Sequence, residues 1–336
     1  MAGPCPASRE APGVPTGPSV ERDMPRPTAG RHIDRNSPRG YYLGYAGHAD
    51  PLGRHDEAGL PVHSRTEAGA VYSPGDVART ALGNLELYLA NGSPLRRGRF
   101  EEGARWLMAN AEEVPGSFIG WAMPGVPGAF EGGLREGWFS GGAHAECLAV
   151  LVRASSLLRM PGALEAARRA AGAFATSVTE GGFLREVGDG GHEGGLESLA
   201  VFEEYPIPDR PSMTLSGHVR ALWAIHDLSK LVRDDSVTSL LDRGVRGLLF
   251  VIDRYDVGYW ARYDLDETWR GTNLASPQEL ELLSLQLGSL GELTGVDEFS
   301  ETGRRFAGYA TDSAGRRRAL WNRFRFRLRN WESVPE

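Results

Sequence analysis

Paired helical patterns, separated by links of two lengths, constrain the fold of this chain more than any other feature of its sequence. Eight stretches show the apolar periodicity of amphipathic helices. They lie near residues 75–90, 99–112, 140–159, 162–178, 213–231, 236–253, 277–294 and 297–311. Short links within pairs, such as Met160–Gly162, predict antiparallel helix hairpins. Hairpins packed side by side send every long link to one end, so the sequence predicts a mainly α fold, an (α/α) toroid or barrel.

Composition and patterning divide the chain into four segments. Residues 1–38 are rich in Pro, Gly, Ala and Arg without periodicity, which predicts a disordered leader. Residues 39–73 carry turn signals at Asp50–Gly53 and Asp56–Gly59, which predict an extended arm or a small β-hairpin-rich segment. The (α/α)-barrel catalytic domain is predicted over residues 74–325, and a tail over residues 326–336.

The charge balance argues against nucleic acid and membrane partners. The chain has 336 residues, a net charge of −7 and a pI of about 5.7, whereas nucleic acids and anionic membranes attract basic patches. The cluster Arg316–Arg318 is interpreted as a solvated helix face. No apolar run approaches the roughly 20 residues that a membrane helix needs. No hydrophobic signal core is seen, and the two cysteines fit a reducing compartment. A cytoplasmic location is therefore expected.

The sequence offers no cofactor or metal signature. The phosphate-binding glycine loops of nucleotide enzymes are not found. The segment Gly190–Gly195 contains one His and one Glu, but it lacks the further ligands that a metal site needs and is interpreted as a flexible loop. We therefore expect neither a cofactor nor a metal.

The long links, near 113–139, 179–212 and 254–276, hold the candidate chemistry, because loops on a rigid scaffold are where function is usually found. Glu203-Glu204-Tyr205-Pro206 is a stiff acidic corner in which a phenol and a carboxylate could act as an acid–base pair. An exposed acidic turn, with Tyr205 packed on a helix, is the alternative.

The third long link is unusually aromatic. Aromatic faces stack on sugar rings, and Arg binds a carboxylate through two parallel hydrogen bonds. The alternative is a β-hairpin whose aromatic rings cap the core. At the second pair, His144 is a candidate, although a histidine at a helix start is more often a surface or capped residue. The substrate-binding candidates are Tyr259, Trp260, Arg262 and Arg270 on this link, and Tyr72, Trp138 and His144 elsewhere.

Several segments, in their order along the chain, resemble the D-glucuronyl C5-epimerase family. The clearest match to its "YEEYP … LNG … SL-x-GLYDL" run is Phe202–Pro206, then Leu215–His218 and Leu222–Leu228. The family's "YD-x-G-x-W … YDL" resembles Tyr255–Trp260 and Tyr263–Leu265. Weaker matches are Val71–Pro74 and Trp138–Ala145. Together these segments cover roughly residues 40–311.

The resemblance implies an (α/α) barrel with β-rich N-terminal elements and an enzyme that inverts C5 of glucuronyl units without a redox cofactor. A base removes the C5 proton on one face and an acid returns a proton on the other. Neutralising the neighbouring carboxylate lowers the barrier. By resemblance, Tyr205 and Glu204 are the best catalytic candidates, and Tyr263 with Asp264 follow.

The chain departs from the family at two places. Where the family usually has a catalytic Tyr and a His before "QL", this chain has Ser276–Leu280, so Glu279 is a candidate replacement base. Asp266 stands where the family has an Arg shortly after "YDL", and Arg270 follows four residues later.

Three functions remain open at this stage. The first is an epimerase acting on a uronic-acid residue of a small glycoside or oligosaccharide, with Arg262 or Arg270 polarising the carboxylate. The second is a related enzyme of a specialised biosynthetic pathway that catalyses epimerisation, elimination or cyclisation. The third is a non-catalytic carbohydrate-binding module. Related proteins are often dimers, but no decisive interface pattern is seen.

Overall fold

The computed structural model describes residues 26–330, apart from residues 35, 51–52, 54, 67–68, 115, 126–132 and 189–197. The described part contains nine α-helices: α1 (Pro74–Asn91), α2 (Pro94–Ala109), α3 (Gly141–Leu158), α4 (Ala163–Ala175), α5 (Leu215–Ser229), α6 (Asp235–Val251), α7 (Pro277–Thr294), α8 (Asp297–Thr311) and α9 (Ser313–Arg329). None of them is long and apolar enough to cross a membrane. The predictions for residues 1–25, for the Gly190–Gly195 loop and for residues 331–336 lie outside the described residues.

The helices pack as hairpins, as the link lengths predict. The pairs α1–α2, α3–α4, α5–α6 and α7–α8 each pack together, and the first helices form a row in which α1 contacts α3, α3 contacts α5, and α5 contacts α7. The predicted mainly α class is confirmed, whereas closure of this row into a toroid stays a prediction.

Three small antiparallel hairpins accompany the helices. They are β1 (Ser64–Thr66) with β2 (Gly69–Val71), β3 (Glu112–Val114) with β4 (Phe118–Gly120), and β5 (Leu184–Val187) with β6 (Leu199–Phe202). The first belongs to the N-terminal arm, and the other two lie in the first two long links. Strand β6 packs on α6, and β4 packs on α4, so the hairpins fix where each link leaves the helices.

Serine caps set several helix starts. Helix α2 begins at Pro94, five residues before the predicted start, because the side chain of Ser93 accepts a hydrogen bond from Arg96 N and Pro94 occupies the first turn. Ser276 and Glu279 form a reciprocal capping box at the start of α7. The ninth helix was not among the eight predicted, although Arg316–Arg318 are exposed on it, as expected.

The N-terminal arm packs into the helical core. Backbone hydrogen bonds join Gly30 N to Tyr42 O and Gly44 N to Thr28 O, so the ordered arm begins before the predicted boundary at residue 39. The rings of Tyr41 and Tyr42 lie 5.8 and 5.0 Å from the ring of Trp223 on α5. Burial of these three aromatic side chains explains why this segment does not remain a separate arm.

A buried ion pair joins the two central helices to the arm. Arg153 on α3 is fully buried, and its Nη1 lies 2.8 Å from Asp227 Oδ2 on α5. Arg153 Nη2 donates to Gly40 O at 2.7 Å, and the hydroxyl of Tyr42 donates to Asp227 Oδ1. Burial raises the pKa of Asp227, but Arg153 and the hydrogen bonds outweigh this and hold the pKa below its usual value.

We expect Arg153→Met to lower the free energy of unfolding by about 3–5 kcal/mol, because it leaves the buried carboxylate of Asp227 without its cation. Urea unfolding followed by circular dichroism measures the loss. The control is Arg105→Met, since Arg105 is half exposed and its ion pairs are worth at most about 1 kcal/mol. Equal losses in the two variants would contradict this role for the buried pair.

Candidate active site

The structure brings the four predicted catalytic residues into one neighbourhood. Glu204 and Tyr205 follow strand β6, Tyr263 lies on the third long link, and Glu279 lies in the first turn of α7. The hydroxyls of Tyr205 and Tyr263 are 3.4 Å apart. The charges of Glu204 and Glu279 act on both phenols. Residues from two long links and from the first turn of α7 therefore lie close together.

Glu203 holds the acidic corner in place. Its carboxylate is buried and accepts hydrogen bonds from Ser212 Oγ at 2.6 Å, Met213 N at 2.7 Å and Arg185 Nε at 2.5 Å. Met213 has a φ of +44°, an unfavourable value for a side chain with a Cβ. The hydroxyl of Tyr255 donates to Met213 O at 2.6 Å. These hydrogen bonds hold the backbone of the acidic corner, and with it the positions of Glu204 and Tyr205.

Glu204 lies against two glycines at helix starts. Its Oε2 accepts a hydrogen bond from Thr214 Oγ1 at 2.8 Å. A Cβ added at Gly142 would lie 3.0 Å from Glu204 Oε1 and 3.3 Å from Arg220 Nη1. A Cβ added at Gly217 would lie 2.9 Å from Glu204 Oε2. Glycines on α3 and α5 therefore make room for the carboxylate beside Arg220.

A cavity of about 230 Å³ adjoins this cluster. Glu279 and Arg220 line it, and the charges of these same residues act on Tyr205. The other side chains that matter for its charge come from the arm and α1. They are Arg26, Tyr45, His48 and Arg79. The cavity and the phenol pair therefore share two charged residues.

A buried carboxylate between two arginines borders the cavity. Glu146 on α3 has no exposed surface, and its Oε2 lies 3.0 Å from Arg79 Nε. Its Oε1 lies 3.5 Å from Arg220 Nε and accepts a hydrogen bond from the Tyr45 hydroxyl at 2.5 Å. Two guanidinium groups share this carboxylate, and Arg220 also lies beside Glu204.

The two phenols are held in their neutral form. Burial raises the pKa of Tyr205, the charge of Glu204 raises it further, and Arg220 offsets only part of the effect. Burial also raises the pKa of Tyr263, with additional contributions from Tyr205, Glu204 and Glu279. In this arrangement both hydroxyls can donate a proton, whereas neither is a ready base at neutral pH.

Comparison with known proteins identifies the family of this chain. The family model described as D-glucuronyl C5-epimerase C-terminus matches residues 119–308, which is more than half of the chain. The chain belongs to this family.

A D-glucuronyl C5-epimerase from Caenorhabditis elegans is 27% identical over 230 residues, covering 63% of this chain and 35% of the relative. The chain thus spans about a third of the length of this relative. Among solved structures, a protein from Listeria innocua has 14% identity and a TM-score of 0.44, over 71% of this chain and 59% of that one. That TM-score is too low to establish a common fold.

Four predicted binding residues of this epimerase-family chain lie away from the cavity lining. Arg270 is exposed, and its backbone N donates to Asn330 Oδ1 at the end of α9. Arg262 is half-buried, and its Nε has no hydrogen-bond partner in the part of the chain that the structure describes. Trp260 is 1% exposed and donates to Ala275 O, and Tyr259 is held by α9. Their observed contacts are structural.

The other three predicted binding residues differ in position. Trp138 stacks on Tyr205, with ring centroids 5.7 Å apart, so it belongs to the phenol cluster. Tyr72 donates to Asp56 Oδ2 at 2.9 Å and packs against Trp106. His144 is buried, its Nε2 lies 2.8 Å from Ala170 O, and burial lowers its pKa to about 4. A neutral, buried imidazole of this kind is a core residue.

The family's two missing groups are replaced by different contacts. Asp266, at the position of the family's Arg, forms an ion pair with Arg210 at 2.6 Å. The cation that acts on the phenol of Tyr205 comes instead from Arg220, which lies on helix α5. The sequence signal for Arg220 is a single arginine inside the apolar run of α5, and the signal for Glu146 is a carboxylate inside the apolar run of α3. Among the described residues, no group of three His, Cys, Asp or Glu side chains could hold a metal ion.

We expect Gly217→Ala to displace the carboxylate of Glu204, since the new Cβ would lie 2.7–2.9 Å from Thr214 Oγ1 and from two atoms of Glu204. Overpacking of this kind costs about 1–3 kcal/mol. Thermal unfolding measures it. Gly288→Ala on α7 is the matched control, because its Cβ would meet no atom within 4 Å. We expect it to stabilise α7 by up to about 1 kcal/mol. An unchanged unfolding temperature in Gly217→Ala would contradict the close contact.

Proposed function

We propose that this chain is an epimerase that abstracts and returns a proton at the carbon next to the carboxylate of a uronic-acid residue in a glycoside. The observation that carries the proposal is the contact between the hydroxyls of Tyr205 and Tyr263, 3.4 Å apart and beside Glu204. Membership of the epimerase family supports the reaction class. The substrate is a small glycoside or oligosaccharide.

The charge states of the cluster assign the proton-transfer roles. Both phenols are neutral, so Tyr205 returns the proton and Tyr263 donates a hydrogen bond to it or to the substrate. Removal of the C5 proton then falls to a carboxylate. Glu279 is suited to this role because it lines the cavity and lies near both phenols.

The spacing of the hydroxyls supports a division between phenol and carboxylate. A carbon flanked by an acid and a base needs the two groups about 6 Å apart, since each lies roughly 3 Å from the reacting centre. Tyr205 and Tyr263 are closer than this. The two phenols therefore work from one side of the sugar ring, and Glu279 works from the other.

Arg220 neutralises the substrate's carboxylate in this proposal, and Arg79 adds to its field. Proton removal next to a carboxylate creates a second negative charge, so a fixed cation lowers the barrier. Arg220 lies on the cavity and acts electrostatically on Tyr205, whereas Arg262 and Arg270 lie away from the cavity lining. We therefore transfer the role predicted for those two residues to Arg220.

A second candidate function is a related reaction in a specialised biosynthetic pathway, such as elimination or cyclisation. It is favoured by the replacement of the family's Tyr by Glu279 and of its Arg by Asp266. If the proton is never returned and a substituent leaves instead, the product is an unsaturated uronate that absorbs ultraviolet light. A non-catalytic carbohydrate-binding role is the third candidate. It predicts binding without hydrogen exchange.

We expect the wild-type protein to exchange the C5 hydrogen of a glucuronide with deuterium in heavy water. Tyr205→Phe removes the proton donor while keeping the ring stacked on Trp138, so formation of the deuterated C5 epimer should fall by about 10²–10⁴-fold. Nuclear magnetic resonance of the C5 hydrogen measures the rate.

The matched control for this experiment is Tyr309→Phe. Tyr309 is also half-buried, and its hydroxyl also forms a hydrogen bond. Its partner is Asp256, however, and it lies on α8. This variant should exchange at the wild-type rate. Full activity in Tyr205→Phe would remove Tyr205 from the mechanism, and ultraviolet-absorbing product without exchange would favour elimination.

We expect Arg220→Gln to weaken binding of a glucuronide by about 10–100-fold, because one charge-assisted pair is worth about 1.5–3 kcal/mol. Binding of the corresponding glucoside, which has no carboxylate, should change little. Calorimetric titration of both ligands measures the difference. Arg220→Lys keeps the charge and should restore part of the discrimination, and Arg305→Gln, at an exposed ion pair, is the control. Equal losses for the two sugars would contradict the assigned role.

A further inference from the structure

The outer face of helix α9 carries most of the large exposed hydrophobic side chains of the described residues. Seven large hydrophobic side chains of the described residues are exposed, and four of them lie on α9. Leu320, Phe324 and Leu328 recur every four residues and are 47%, 53% and 56% exposed. Trp321 is 60% exposed and lies beside this row, with its ring centroid 5.8 Å from that of Phe324. Together these four side chains form the outer stripe of α9.

The stripe points away from the body of the protein. Gly315, Ala319 and Phe326 are the buried residues of α9, and they lie on the opposite side of the helix. The inner side is also tied down by polar contacts: Asn322 Nδ2 donates to the Tyr259 hydroxyl at 2.7 Å, and Arg323 Nη1 donates to Leu274 O at 2.7 Å. These contacts fix the orientation of α9, so the stripe faces solvent.

Positive charge surrounds the stripe on both sides. Helix α9 carries seven arginines and no acidic residue, in a chain whose net charge is −7. On a helical projection at 100° per residue, Arg316 and Arg327 lie on one flank of the stripe, and Arg318, Arg325 and Arg329 lie on the other. The net charge of the whole chain is negative, so the seven arginines of α9 are a local concentration of positive charge that can attract an anionic surface.

We infer that α9 docks the protein on an anionic lipid surface, with the outer stripe inserted between lipid headgroups, although the net charge of the whole chain predicted no membrane partner. An apolar stripe with Trp and Phe, flanked by arginines, is the pattern of helices that lie in the plane of a membrane interface. The arginines bind phosphate and carboxylate groups of the lipids, and each contributes to binding near the surface. The helix lies on the membrane and does not cross it.

Charge favours a lipid surface over two other occupants. A second copy docking through the same stripe would bring two sets of seven arginines together, which is unfavourable. Nucleic acid would satisfy the arginines, but it would leave the apolar row of Leu320, Trp321, Phe324 and Leu328 against phosphates. A lipid interface satisfies the charged flanks and the apolar centre together.

The test uses the full chain and vesicles of phosphatidylcholine, with or without about one third phosphatidylserine. We expect co-sedimentation with the anionic vesicles to be at least about tenfold stronger than with neutral ones, and to weaken as salt increases. A blue shift of tryptophan emission on binding should disappear in Trp321→Phe.

Matched variants separate insertion from charge attraction alone. Replacing Leu320, Trp321, Phe324 and Leu328 by Ser should abolish binding to the anionic vesicles while leaving the helical circular dichroism spectrum unchanged. Phe250→Ser is the control, because Phe250 is equally exposed on α6, where the nearby Arg246 and Arg254 are paired with carboxylates. It should bind like the wild type. Binding that survives loss of the stripe, or equal affinity for an acidic polypeptide, would overturn the inference, and so would the absence of vesicle binding.

Discussion

Two buried charges on helix α3 organise the rest of the molecule. Arg153 pairs with Asp227 on α5, and two turns earlier Glu146 pairs with Arg79 on α1 and Arg220 on α5. Arg153 also reaches the N-terminal arm by donating to Gly40 O, and Glu146 reaches it by accepting a hydrogen bond from the Tyr45 hydroxyl. An unpaired buried charge is strongly unfavourable, so the packing of the helices that pairs these charges is favoured.

The same constraint decides the character of the candidate site. The side chain of Arg220 is held in position, because its Nε lies 3.5 Å from Glu146 Oε1 and α5 packs against α3. Its far end therefore remains beside Glu204 and the cavity. The pair Arg153–Asp227 fixes the position of α5 from the other end. A structural ion pair thus positions a group that acts on the phenols, although it contacts neither of them in a hydrogen bond.

Much of the fold followed from periodicity and link length, since both depend on local sequence. Helix α7 begins and ends at the predicted residues, Pro277 and Thr294, because a capping box and Gly295 mark its ends. Helix α9 was not among the eight predicted helices, because its apolar row of Leu320, Phe324 and Leu328 lies among seven arginines. Its stripe faces solvent instead, and sequence alone cannot say which side of a helix is inside.

The site was predicted in part, for an equally physical reason. Motif resemblance pointed to Tyr205, Glu204 and Tyr263, and the place of the family's missing Tyr pointed to Glu279. It did not identify Arg220, because nothing in the run around it distinguishes a cavity arginine from one paired on the surface. The side on which Arg262 and Trp260 lie is set by the short bridges Asp256–Ala261 and Arg262–Leu274. Those bridges depend on tertiary packing, which a single sequence does not reveal.

The charge state of the phenols links fold to chemistry. A tyrosine base needs a cationic neighbour that outweighs burial, and here Arg220 is shared among Glu146, Glu204 and the cavity. Its effect on Tyr205 is smaller than those of burial and Glu204, so the phenol keeps its proton. If an anionic sugar also bound Arg220, the effect by which Arg220 lowers the pKa of Tyr205 would weaken further. A bound uronate would therefore reinforce the role of Tyr205 as the acid and leave proton removal to a carboxylate such as Glu279.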